Sequence, residues 1–98
     1  MQLHISPRNL TLTAAIHQYA AEKVAHLEDL ADIIGVHLVL AHVAGANRTK
    51  SYTVKAHVAI AGPDIHAEGT GVDLYAVLDK ITDRLARQLR KRHTAIID

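Results

Sequence analysis

The sequence predicts an α+β fold: a two-layer sandwich in which both helices cover one face of a four-stranded mixed sheet, in the order β-α-β-β-β-α. Three observations lead there. Four segments show strand alternation or β-branched apolar runs, two longer segments repeat apolar residues at helical spacing, and turn residues separate the later strands. No repeat, low-complexity tract or linker interrupts the 98 residues, so a single domain over 1–98 is expected.

Leu3 and Ile5 alternate with Gln2, His4 and Ser6, a short strand that Pro7 should end. Thr13 is a good N-cap, and Ile16, Ala20, Val24, Leu27 and Ala31 share a face of a helix running from about 14 to 29. Ile33 to Val43 is apolar and β-branched, and Gly45-Ala46-Asn47 breaks it. Tyr52, Val54, Ala56, Val58 and Ile60 alternate with Ser51, Thr53, Lys55 and His57, the pattern of a half-buried strand. Gly62-Pro63-Asp64 is a turn, and Ile65 to Thr70 forms the last strand. Gly71 and Asp73 open a second helix that should reach about Arg92. A helix between the first two strands makes them parallel by a right-handed crossover, whereas tight hairpins make the other pairs antiparallel. Both helices need a surface for their apolar stripes. One sheet face supplies it, leaving the other face open to solvent.

Composition narrows the function classes. The 28 Leu, Ile and Val residues suffice for a modest core and exclude intrinsic disorder. With no cysteine there is no disulfide framework, thiol nucleophile or thiolate zinc site. The N-terminus lacks the basic start and long apolar run of a signal peptide, and apolar stretches such as 36–44 fall far short of the ~20 residues that span a bilayer. A cytoplasmic protein without a membrane partner is expected. No nucleophile–base motif, phosphate loop or HExxH is present, and Glu22 and Glu28 lack an acid/base partner. Neither a catalytic residue nor a cofactor is expected, and the chain reads as a non-enzyme.

Charge is distributed unevenly. Residues 1–49 carry three basic and four acidic side chains, and residues 50–98 carry eight and six, so a half of net −1 precedes a half of net +2. At 100° per residue, Leu74, Val77, Leu78, Ile81, Leu85 and Leu89 line one side of the second helix. Lys80, Arg84, Arg87 and Lys91 fall within a sector of about 60° on its outer side. Cations near a helix C-terminus suit the macrodipole, but like charges at i,i+3 and i,i+4 oppose the helix by roughly 0.2–0.5 kcal/mol per pair. Asp79 and Asp83 sit beside the stripe rather than within it. A cationic ridge kept despite self-repulsion points to an anionic partner, and regularly spaced nucleic-acid phosphates fit it. The tyrosines are Tyr19, Tyr52 and Tyr75, and none supplies an exposed stacking platform on a central strand, so recognition by backbone and shape is expected.

A second reading comes from the histidines. His4, His37, His57 and His66 fall on the outward parity of the four strands, one each, and a hairpin centred near Asn47 puts His37 opposite His57. They could be solvated polar positions, a weak self-association surface or metal ligands. That alternative makes the chain a His-rich sheet-face interaction or metal-binding module with an incidental basic helix. The expectation for bound metal is none.

Asp73-x-Tyr75-Ala76-Val77-Leu78-Asp79, followed by Arg84-Leu85-x-Arg87-Gln88-Leu89-x-Lys91, resembles the closing helix of the ribosome hibernation-promoting factor family, which includes ribosome-associated inhibitor A and the sigma modulation proteins. Ile5-Ser6-Pro7-Arg8-Asn9, then Leu12-Thr13 and a helix ending Lys23-Val24-Ala25-His26-Leu27, is similar to the family's N-terminal half. The resemblance covers nearly the whole chain. It implies a stress or stationary-phase protein that binds the small ribosomal subunit in the channel of messenger RNA and the A- and P-site transfer RNAs, and so inhibits translation. Carried over by position, the rRNA contacts are Arg8, Lys23, Arg84, Arg87 and Lys91, with Asp73 and Tyr75 at the helix start and the groove between helices. Lys80, Arg90 and Arg92 stand as additional cations. His17 and His26 occupy positions where relatives often carry Arg or Lys. An end at Asp98 resembles the short form, expected to be monomeric when free and to need a helper factor to pair ribosomes.

Overall fold

The computed structural model describes residues 1–44 and 50–97. Its elements are β1 (Gln2–Arg8), α1 (Ala14–Ala25), a 3-10 turn (His26–Asp29), β2 (Ile33–Ala44), β3 (Lys50–Ile60), β4 (Ile65–Gly71) and α2 (Leu74–Ile97). The four strands form one sheet in the order β1-β2-β3-β4, the first pair parallel and the other two antiparallel. This is the expected β-α-β-β-β-α sandwich. The break assigned to Gly45-Ala46-Asn47 lies outside the described residues.

The elements depart from expectation at their ends. Pro7 does not end β1: it pairs with Leu40, and Arg8 with Ala41. On an edge strand the missing proline N–H need not interrupt a ladder, so the strand continues. Thr13 caps α1, its Oγ1 accepting from the Ile16 N–H at 3.2 Å. The helix tightens to 3-10 geometry after Ala25, which still turns Leu27 into the core. Gly71 closes β4 rather than opening α2. A Cβ there would lie 2.8 Å from the Val77 side chain, so the close approach of strand and helix requires glycine. Asp73 is the cap of α2, its Oδ1 accepting from the Tyr75 N–H at 3.0 Å, and the helix runs past Arg92 to Ile97.

The core lies between the layers. Ala20, Val24 and Leu27 meet the six apolar residues of α2 named above, and Val36, Leu38, Leu40, Val54, Ala56 and Val58 rise from the sheet beneath them, all buried. Each fully buried Leu, Ile or Val stabilises by about 1.5–3 kcal/mol. That burial fixes the rotation of α2, and with it the direction of every charged side chain on the helix. Among the described residues no helix is long and apolar enough to cross a membrane.

Candidate nucleic-acid interface

Because the apolar side of α2 is held in the core, Lys80, Arg84, Arg87 and Lys91 are left exposed on one flank. At 1.5 Å per residue the ridge is about 17 Å long. It runs beside β4: Arg84 Nη1 donates to the Glu68 carbonyl at 2.6 Å, and Gln88 Nε2 donates to the His66 carbonyl at 2.9 Å. Arg84 is therefore exposed yet anchored to the sheet. Lys80, Arg87 and Lys91 present permanent charge directly to solvent.

The other candidate cations do not join this ridge. Arg90 lies on the α1-facing side of α2, lining a shallow groove of about 330 Å³ with Lys23, His26 and Asp83. Arg92 is half-buried and lines a cavity of about 460 Å³ with Glu28, Asp29 and Asp32, and its Nη1 is buried without a hydrogen-bond partner. Arg8 is exposed on β1, the sheet edge opposite β4. The expected contacts thus divide into a continuous ridge and separate outlying positions.

Between the helices lies an arrangement that the sequence does not announce. Asp79 Oδ1 accepts from the Tyr19 hydroxyl at 2.6 Å and lies 3.0 Å from Lys23 Nζ. Lys23 Nζ also stands 5.6 Å from the centre of the Tyr19 ring, and Tyr19 meets Tyr75 edge to face at 4.9 Å. The hydrogen bond from Tyr19, then that from Lys23, holds the Asp79 carboxyl below its ordinary range. Hydrogen bonding to Asp79 raises both the Tyr19 phenol and the Lys23 ammonium. Tyr19 and Lys23 are four apart on α1, as are Tyr75 and Asp79 on α2, so each half is visible in the sequence, but their meeting is a tertiary fact. Lys23 thus faces a carboxylate within its own chain. Asp73 caps the helix start, and Tyr75 packs edge to face on Tyr19 between the helices.

On the other face of the sheet His4, His37, His57 and His66 are exposed, with His37 opposite His57 as the hairpin arithmetic requires. Among the described residues, no group of three or more His, Asp or Glu side chains is arranged to hold a metal ion. The metal alternative therefore rests on the number of histidines alone.

The family described as Sigma 54 modulation protein / S30EA ribosomal protein matches residues 3–96. Ribosome hibernation promoting factor of Escherichia coli (strain K12) is 36% identical over 91 residues, covering 93% of this chain and 92% of that protein. Ribosome hibernation promotion factor of Picosynechococcus sp. (strain ATCC 27264 / PCC 7002 / PR-6) is 34% identical over 95 residues, 93% of this chain but 48% of that protein. Among solved structures, the Protein Y N-terminal domain of Thermus thermophilus superposes with a TM-score of 0.78 at 28% identity, over 93% of this chain and 98% of that one. A ribosomal subunit interface protein from Coxiella burnetii shares the fold, with a TM-score of 0.81 at 21% identity over 96% and 99% of the two chains. A match from residue 3 to residue 96, joined to the motifs on α2 and the shared β-α-β-β-β-α order, makes the chain a member of the Sigma 54 modulation protein / S30EA ribosomal protein family.

Proposed function

We propose that this protein is a non-enzymatic ribosome hibernation factor that acts in the cytoplasm as a single ribosome-binding domain over residues 1–98. It binds the small ribosomal subunit in the channel of messenger RNA and the A- and P-site transfer RNAs, holds rRNA phosphates through its cations, and inhibits translation under stress or in stationary phase. The observation that carries this reading is the exposed ridge of Lys80, Arg84, Arg87 and Lys91 along one flank of α2. Permanent cations spaced along a rigid helix favour an extended polyanion over a small ligand. The names of the Escherichia coli and Picosynechococcus relatives lend support from outside the chain.

Within this reading Lys80, Arg87 and Lys91 meet phosphates directly, and Arg84 exchanges the Glu68 carbonyl for one. Arg90 and Lys23 serve the groove side, Arg8 an outlying contact, and Arg92 the end of the helix. Free protein is monomeric, and any pairing of ribosomes is the work of a helper factor. Pelleting through sucrose with purified small subunits at moderate salt tests the proposal, together with inhibition of a cell-free translation reaction. Co-sedimentation is expected, with log affinity falling against log salt at a slope of about −3 to −5. Failure to co-sediment overturns the reading.

A further inference from the structure

At the end of the sandwich where β1 and β4 finish lies an apolar hollow that the cationic ridge does not use. Leu10 and Ile16, Tyr52 of β3, and Val72, Asp73 and Tyr75 at the entry to α2 line about 400 Å³ open to solvent. Val72 is 70% exposed and Tyr75 38%, so apolar surface is left bare at its mouth. A bare apolar patch with a polar rim marks a docking place. Asp73 is the one charged side chain of the lining. Its Oδ1 accepts from the Tyr75 N–H at 3.0 Å, and among the described residues its carboxylate pairs with no cation. Oδ2 is thus left to accept from a donor outside the chain.

The position of the hollow selects its occupant. Seven steps of 100° put Asp73 about 20° from Lys80 around the helix axis, within the sector of the ridge, and about 10 Å before it. The hollow therefore stands at the head of the line Lys80, Arg84, Arg87 and Lys91. A strand whose phosphates lie on those cations runs into it. Phosphate itself is unwelcome there, because the Asp73 carboxylate repels it and apolar side chains cannot solvate it. A base fits both halves of the lining: its flat face packs on an aromatic ring, and its edge carries N–H donors for a carboxylate. Guanine fits best, since its ring N–H and its amino group are donors side by side. Adenine and cytosine set a ring-nitrogen acceptor beside the amino group, and uracil flanks its N–H with carbonyls. Resting on the reading of the ridge as an RNA site, the geometry points to one occupant: an unpaired guanine base of the same RNA strand, laid against Tyr75 with its donor edge on Asp73. The ridge holds phosphates and reads no sequence, whereas the hollow adds a base preference.

Fluorescence anisotropy of labelled short oligouridylates, ending in guanosine, adenosine or uridine, tests this with the full chain at low salt. Oligouridylate should bind through the ridge, and a terminal guanosine should raise affinity about tenfold over adenosine or uridine at that place. Asp73→Asn keeps a side chain that can cap α2 but removes the carboxylate. It should bind oligouridylate more tightly, with one negative charge gone from the path of the strand, and lose the guanosine gain. Tyr75→Ala should lose most of the gain as well. Arg87→Glu/Lys91→Glu should weaken every oligomer and keep the ratio between them, so hollow and ridge are read separately. Circular dichroism confirms that each variant is folded. No binding by any oligomer overturns the reading of the ridge and this inference with it. Oligomers that all bind alike overturn the inference alone and leave the hollow to an apolar side chain of a protein partner. A full guanosine gain in Asp73→Asn also overturns it.

Discussion

The two broad surfaces of the sandwich align their side chains in different ways. Along α2 the charge is permanent, and one helical segment aligns it, because steps of four, three and four residues return Lys80, Arg84, Arg87 and Lys91 to one flank. Across the open sheet face the alignment comes from strand pairing, and each of four strands contributes one histidine. The first alignment is a local property of sequence spacing. The second exists only when β1 and β4 dock in register on the central hairpin. A surface built by one helix therefore tolerates changes elsewhere in the fold, whereas a surface built by strand register does not.

Four measurements test how the helices hold and present their charges. The largest effect is expected from Arg87→Glu/Lys91→Glu, which places two negative charges in the ridge. Affinity for small subunits should fall by about two orders of magnitude at low salt, with the salt slope reduced by about 2 and the thermal midpoint almost unmoved. Equilibrium pelleting across a salt series measures both. Unchanged affinity would show that the ridge is only a solvated face.

Asp79→Asn addresses the fixed contact between the helices and should lower the thermal midpoint by a few degrees at neutral pH. Its pH dependence follows from the shifts of its partners. The Asp79 carboxyl is held low in the folded state, so its contribution is complete above the unfolded value of ~3.9 and is lost as pH falls through the lower folded value. The Tyr19 phenol and Lys23 ammonium are raised, so their contributions hold below unfolded values of ~10 and ~10.4 and fade as pH rises through the folded ones. Urea midpoints of the two proteins should differ by a constant amount across the middle of the pH range and converge at both extremes. A difference that persists at acid pH would remove the ion pair as its cause.

Asp79→Asn should also release Lys23 towards solvent and tighten small-subunit binding by about twofold at low salt, a gain that adding Lys23→Ala should abolish. No tightening in the single variant would place Lys23 outside the interface. The smallest effect separates two neighbours on the ridge. Arg84→Ala removes the bond to the Glu68 carbonyl and should cost under about 1 kcal/mol of stability, whereas Arg87→Ala should cost nothing measurable. Paired denaturation curves decide whether the anchoring of Arg84 matters.

The phase of both helices and the parity of every strand were legible in the sequence because alternation by two and recurrence by 3.6 are imposed by burial on one side. Leu85 and Arg84 could be told apart for that reason alone. The ends of elements were less legible, since they depend on neighbours. Pro7 continues β1 because nothing pairs beyond it, and Gly71 belongs to the strand because Val77 presses on it. The pairing of His37 with His57 follows from one hairpin, but the row needed β1 and β4 as well. The bond from Arg84 to β4, the turning of Arg92 towards the 3-10 turn, and the meeting of Tyr19 and Lys23 with Asp79 join residues 16 to 64 positions apart, a range at which no periodicity operates.

The bonds from Arg84 and Gln88 to β4 also bear on crowding. An outer strand with free carbonyls is a template on which another copy of the chain can lay a strand and start an aggregate. Here two of those carbonyls, on Glu68 and His66, are already occupied by side chains of the protein's own helix. At the opposite margin Pro7 offers no N–H and Arg8 adds a charge that repels its like. With Arg84 withdrawn, Gln88 would still hold the His66 carbonyl, so that part of the outer strand stays covered independently of the ridge.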